Sequence, residues 1–231
     1  MSAVKPDSDR RRKWKNEPLV LFVEGYSDLT FYAELMKHIG LHDRCFIQDL
    51  GGKGHELLRE QARALLTPDR LAQICAVGVL LDADKDADGA FSLARNALKG
   101  AVDVDVPRRG EWVRASDSKV RYGVFIVGDG DKQVEVESLA WAAWSGKPDN
   151  AAFRGCVEDF IKCARKQGKK LKSTDKVRIG AVLSVLNEDD PRLGPGARRH
   201  LFEFEAAAFA ELRAFLKAMA TEARDGGPPG R

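Results

Sequence analysis

The chain has little that would tie it to an oxidising compartment, a zinc site or a membrane. Its four cysteines, Cys45, Cys75, Cys156 and Cys163, are scattered through 231 residues, and no pair has zinc-like spacing. Cys156 and Cys163 fall on one face of a helix, where core packing is the expected role. No apolar run is long enough to span a bilayer and no secretory leader is present, so a reducing cytoplasm is the expected location. Charge of one sign is also missing: 38 Lys and Arg stand against 35 Asp and Glu, and the net +3 names no partner. There are no internal repeats. There is no Gly-x-x-x-x-Gly-Lys-Ser/Thr loop either, so no ATPase is built into the chain.

What is present is an alternation. Residues 1–17 are polar, carry a basic run from Arg10 to Lys15, and read as a flexible arm. "PLVLFVEG" then reads as a buried strand arriving at a turn, and "SDLTFYAELMKHIG" as a helix with Ser27 or Asp28 as its N-cap. "RCFIQDL", "ICAVGVLLD" and "YGVFIVG" are further strands, separated by the helical segments "HELLREQARALL" and "GAFSLARNALKG". Buried strands alternating with helices predict an α/β fold with a parallel sheet, whose ligands bind beyond the carboxyl ends of the strands. From about Val134 the pattern is helical. The expected organisation is therefore an α/β core over 18–145, a helical extension packed on it over 146–222, and a disordered tail over 223–231.

Four aspartates follow the third strand: Asp82, Asp84, Asp86 and Asp88 in "VGVLLDADKDADGAF". Counted from Asp84, they match a calcium loop of the EF-hand type up to Phe91, but the closing glutamate is replaced by Arg95. A strand also stands where that motif requires a helix. Asp86 and Asp88 read as an acidic turn, with Asp88 capping the next helix. Asp82 and Asp84 differ, because residues i and i+2 of an extended segment project to one side. Their carboxylates repel unless a cation sits between them. With Glu24 at the end of a neighbouring strand, they suit magnesium or manganese.

"FVEGYSDLTFY" and "GVLLDADKDADGAF" together resemble the Toprim domain, found in topoisomerases, primases, recombination mediators and OLD-type nucleases. "VEVESLAWAAW" and the later "DKVRIGAVLSVL" are similar to small stand-alone Toprim-like proteins. The resemblance implies that Glu24, Asp28, Asp82 and Asp84 hold one or two Mg2+ or Mn2+ ions. It makes Glu137 a further metal acid, with Glu135 as an equal alternative and a helix-start acid as the plain reading. It also implies a lysine near the metals: Lys176 by position, or Lys53 in the Gly-Gly-Lys turn of "LGGKGHELL". The catalytic set expected from it is Glu24, Asp82, Asp84 and Lys176.

The implied activity is metal-dependent cleavage of DNA or RNA phosphodiesters, as a toxic effector of an antiviral defence system under a separate ATPase chain. Lys162, Arg165, Lys166, Lys169, Lys170 and Lys172, with Lys53, are the expected nucleic-acid contacts. Trp14, Trp141 and Trp144 offer stacking surfaces, although Trp141 and Trp144 have the spacing of packing residues. Two other readings compete. One is a non-catalytic Toprim-type module that binds nucleic acid or protein. The other is a phosphotransferase of the haloacid-dehalogenase type, whose Asp-x-Asp-x-Thr/Val motif is not met because Asp86 follows Lys85.

Overall fold

The computed structural model describes residues 13–52, 55–83, 85–115, 118–128 and 134–221. Most of the expected arm, the expected tail, Lys53 and Asp84 lie outside the described residues. Residues 13–17, read as part of a flexible arm, are anchored. The Trp14 indole donates to the Glu17 carbonyl at 3.1 Å, and the Arg70 guanidinium lies over its ring at 5.4 Å. The Glu17 side chain is buried, so this stretch packs against the end of the sheet.

Five strands form one sheet: β1 (Leu19–Val23), β2 (Cys45–Asp49), β3 (Ala76–Asp82), β4 (Trp112–Arg114) and β5 (Arg121–Val127). Their order is β2-β1-β3-β5-β4, parallel throughout except for β4, which runs antiparallel to β5. Helices α1 (Tyr26–His38), α2 (His55–Leu65), α3 (Pro68–Leu71) and α4 (Ala87–Val102) are interleaved with the strands. Then follow α5 (Val136–Ser145), α6 (Ala151–Lys166), α7 (Thr174–Leu186), α8 (Leu193–Arg198) and α9 (Ala210–Met219). This is the α/β architecture that the alternation predicts, with a helical C-terminal part.

The strands read as unbroken apolar runs because both sheet faces are covered. Along β1, Leu19, Leu21 and Val23 enter a core shared with α1 and the C-terminal helices. Val20 and Phe22, pointing the other way, enter a core shared with α2 and α4. The C-terminal helices therefore complete one face of the sheet and do not form a separate core.

Further features depart from the sequence reading, the single-turn α3 among them. Strand β4 was not foreseen, being only three residues long. It is held because Trp112 stacks on Phe215 of α9 at 4.7 Å between ring centroids and lies over Gly123. A Cβ on Gly123 would come within 2.8 Å of that indole, which explains a glycine inside β5. The short α8 was also missed. Gly194 at its start approaches Thr30 so closely that a Cβ would lie 2.0 Å from Oγ1. Finally, the helical pattern is interrupted before α9, which starts only at Ala210, because Phe204 packs edge-on against both Phe31 and Phe209.

The topology places a ligand site. Strands β1 and β3 are neighbours, and the connection leaving β1 runs to β2 on one side while the chain leaving β3 continues to β4 and β5 on the other. Such a switch point opens a crevice outside the carboxyl ends of the two flanking strands. Glu24 and Asp82 stand at those ends.

Candidate metal centre

Glu24 follows the last residue of β1, and α1 begins two residues later at Tyr26. Gly25 is the N-cap, in extended conformation. The expectation of Ser27 or Asp28 as N-cap is corrected: the helix starts earlier, and Asp28 lies in its first turn. Its Oδ2 accepts the Gly25 amide at 2.9 Å. Asp28 thus caps the helix backwards while its charge stays next to Glu24.

Asp82 closes β3, and its Oδ1 accepts the amide of Val136, the first residue of α5, at 3.1 Å. Asp84 lies outside the described residues. Asp86, not Asp88, is the N-cap of α4, accepting the Gly89 amide at 2.8 Å. The fold allows this because position 89 lacks a Cβ, which would collide with the Asp86 carboxylate. Arg95 turns outward to a two-pronged pair with Asp105, at 2.5 and 2.8 Å. The stretch that a calcium loop would need is therefore the first turns of α4.

The start of α5 supplies two more acids. Glu135 is buried, and its Oε2 lies 2.9 Å from Nζ of Lys176, which reaches over from the first turn of α7. Glu137, in the first turn of α5, is partly exposed, yet its Oε2 is buried and accepts no hydrogen bond among the described residues. Ser173 caps α7 by accepting the Lys176 amide at 3.1 Å.

Electrostatics show that these groups converge. Tyr32, buried in the second turn of α1, has its hydroxyl held well above the usual range, first by burial and then by Asp82, Asp28, Glu137 and Glu24. Burial, then Glu24, raises Asp28 to about 6, against the Gly25 hydrogen bond. Burial raises Glu137 to about 7, opposed by the Lys176 charge. Asp82 is pushed well above the carboxylate range by burial and then by Asp28, Glu137 and Glu24. For Lys176, partial burial works against the charge, but the close Glu135 carboxylate and the charges of Glu137 and Asp82 outweigh it, so its ammonium is stabilised.

Crowded hard oxygens that repel one another, with Glu137 Oε2 buried and without a hydrogen bond among the described residues, are donors suited to Mg2+ or Mn2+. Among the described residues, no three His, Cys, Asp or Glu side chains already stand as a metal cage. The fit therefore rests on Glu24, Asp28, Asp82 and Glu137 as a donor set, with Asp84 next to them in the chain. A cleft of about 770 Å3 between β5, α5 and α9 contains none of these carboxylates.

Residues 18–221 match the family described as "Protein of unknown function (DUF3226)". The chain belongs to that family. The matched span contains every acid of the cluster together with Lys176, so the site is part of the DUF3226 unit. No curated protein and no solved structure matches the chain.

The remaining sequence candidates separate into three groups. Lys162, Arg165 and Lys166 lie on the last turns of α6, while Lys169, Lys170 and Lys172 lie on the connection to α7, all exposed. Lys162 pairs with Asp159 at 2.9 Å and Arg165 donates to Thr174 at 2.9 Å. This basic run leads directly into the turn that carries Lys176. Trp141 and Trp144 are buried and stacked on each other at 5.5 Å, so they are core residues and offer no open ring face. Cys156 and Cys163, expected in the core, are exposed. The buried face of α6 is instead defined by Val157 and Ile161.

Sequence reasoning missed the Glu135–Lys176 pair and the buried Tyr32 hydroxyl that feels the acids' charge. The one local signal for the pair was Glu-Val-Glu at a helix start, which offers two acids without saying which meets a cation.

Proposed function

We propose that this chain is a divalent-metal-dependent nuclease of the Toprim type, cleaving phosphodiester bonds of DNA or RNA with Mg2+ or Mn2+. The observation that carries the reading is the convergence of Glu24, Asp28, Asp82 and Glu137 at the switch point of the sheet, beside the Lys176 ammonium. The V-E-G and Asp-x-Asp motifs, whose acids lie at or next to the two strand ends, support it, and Asp84 completes the proposed ligand set.

In this reading Glu24, Asp28, Asp82, Asp84 and Glu137 hold one or two cations. When bound, such ions would supply activation of the attacking water and neutralisation of the leaving oxygen. Asp82 is oriented by the Val136 amide, and Asp28 by the Gly25 amide, so neither carboxylate swings freely. Lys176, with a half-exposed side chain, would offset charge on the phosphoryl oxygens. The basic run from Lys162 to Lys172 draws the backbone towards a site whose own carboxylates repel it. With no P-loop in the chain, nucleotide control would come from a separate ATPase chain, as in a two-component antiviral effector.

Purified protein with Mg2+ or Mn2+, assayed on plasmid, single-stranded DNA and tRNA, is expected to cleave at least one substrate. Glu24→Ala and Asp82→Ala should abolish this. Cleavage that survives both substitutions would overturn the assignment. Metal-independent nucleic-acid binding without turnover would instead favour a non-catalytic binding module.

A further inference from the structure

Lys176 stands where helix electrostatics argue against it. It is the third residue of α7, and the amino end of a helix carries partial positive charge, which disfavours a cation. Helix stability therefore does not explain this lysine. Its side chain is 52% exposed, yet the ammonium is drawn inward to a carboxylate that is only 2% exposed. A buried carboxylate without a counter-charge is costly, so each group accounts for the other.

The two acids at the start of α5 have different surroundings. Glu135 is the extended N-cap of α5 and Glu137 lies in its first turn, so the two side chains leave the backbone in different conformations. The buried Oε2 of Glu135 forms an ion pair with the Lys176 ammonium at 2.9 Å, outside hydrogen-bond geometry, whereas the buried Oε2 of Glu137 has neither an ion pair nor a hydrogen bond among the described residues. Val136 between them is fully buried and gives its amide to Asp82, which locks the turn in register.

We infer that the two acids divide the work: Glu135 is a positioning residue that holds the Lys176 ammonium at the edge of the cluster, and Glu137 is the acid left for the cation. This rests on the metal-site reading above. Glu135 then acts on substrate only through Lys176, whose half-exposed side chain can meet a phosphate oxygen.

The test uses the full chain and Mn2+. In proton–nitrogen NMR tuned to lysine ammonium groups, the wild type should show a slowly exchanging signal that disappears in Lys176→Met, which assigns it. Glu135→Gln should abolish that signal, and Glu137→Gln should keep it. In calorimetric titration, Glu137→Gln should weaken Mn2+ binding at least tenfold, and Glu135→Gln less than threefold. An equal loss in both would make Glu135 a ligand and overturn the inference. So would an ammonium signal that survives Glu135→Gln. If Glu135→Gln does not fold, Glu135→Asp keeps the charge but shortens the reach. It should shift or broaden the signal while sparing Mn2+ affinity, and an unmoved signal would overturn the pairing. A wild type that binds no Mn2+ would remove the metal reading, while the ammonium signal would still decide the pair.

Discussion

The carboxylate of Asp82 and the backbone amide of Val136 are joined by a 3.1 Å hydrogen bond across 54 residues of sequence. This contact ties the end of β3 to the first turn of α5. It gives an amide at a helix amino terminus, which has no partner inside the helix, a carboxyl oxygen to donate to. It also sets Glu135 and Glu137 beside Asp82, and so brings the C-terminal part of the chain into a site begun by β1 and β3.

Asp82→Asn should separate charge from geometry. The amide oxygen still accepts from Val136, but the charge crowded by burial and by Asp28, Glu137 and Glu24 is gone. The metal-free variant should melt a few degrees higher than wild type, each 1 kcal/mol shifting the midpoint by about 2–4 °C in a chain of this size. The rise in melting temperature that Mn2+ gives the wild type should vanish. Asp82→Ala loses the hydrogen bond too and should gain less. Calorimetry with and without Mn2+ reads all three, and an Asn form that melts below wild type would refute the crowding.

The raised carboxylates also set a pH dependence. Asp28 at about 6 and Glu137 at about 7 bind protons more tightly folded than unfolded. Their contribution to stability is fully present below about pH 4 and is lost as pH rises through about 6 to 7. Metal-free protein should therefore weaken across that window, and Glu137→Gln should lessen the fall. A cation competes with these protons, so Mn2+ affinity should rise over the same range. Denaturant melts in EDTA at pH 5 and pH 8, with titrations in two buffers of different ionisation enthalpy, measure both. A wild type and a Glu137→Gln form with the same pH slope would contradict it.

Replacing Lys169, Lys170 and Lys172 together by alanine should weaken nucleic-acid binding without changing Mn2+ affinity, because all three are exposed on the α6–α7 connection. Each lost phosphate contact lowers the slope of log affinity against log salt by about 0.7 for single strands or about 0.9 for duplex. Fluorescence anisotropy over a salt series should thus show a slope smaller by up to about 2–3. An unchanged slope would mean that the run is only a solvated surface.

Much of the site was legible before folding was considered. Glu24 and Asp82 each end a run of buried aliphatics, and such runs mark strands whatever their partners. The calcium-loop reading failed for an equally local reason, since Arg95 stands where a closing acid is required. Other features were out of reach. Cys156 and Cys163 share a helical face, but periodicity does not say which face is buried when the opposite one carries Val157 and Ile161. The cap of α4 shifted from Asp88 to Asp86 because it depends on the absence of a Cβ at Gly89, a steric detail of one turn.

Four of the five strands, most of the helices and the acids at the strand ends are readable from the sequence, because hydrophobic period and residue type act over a few neighbouring positions. Only the tertiary structure decided the strand order that makes β1 and β3 the switch point, and which acid at the start of α5 meets Lys176. Those outcomes depend on how α5 and α7 pack over the sheet. A charge pair between two helix starts leaves no periodic trace in either segment.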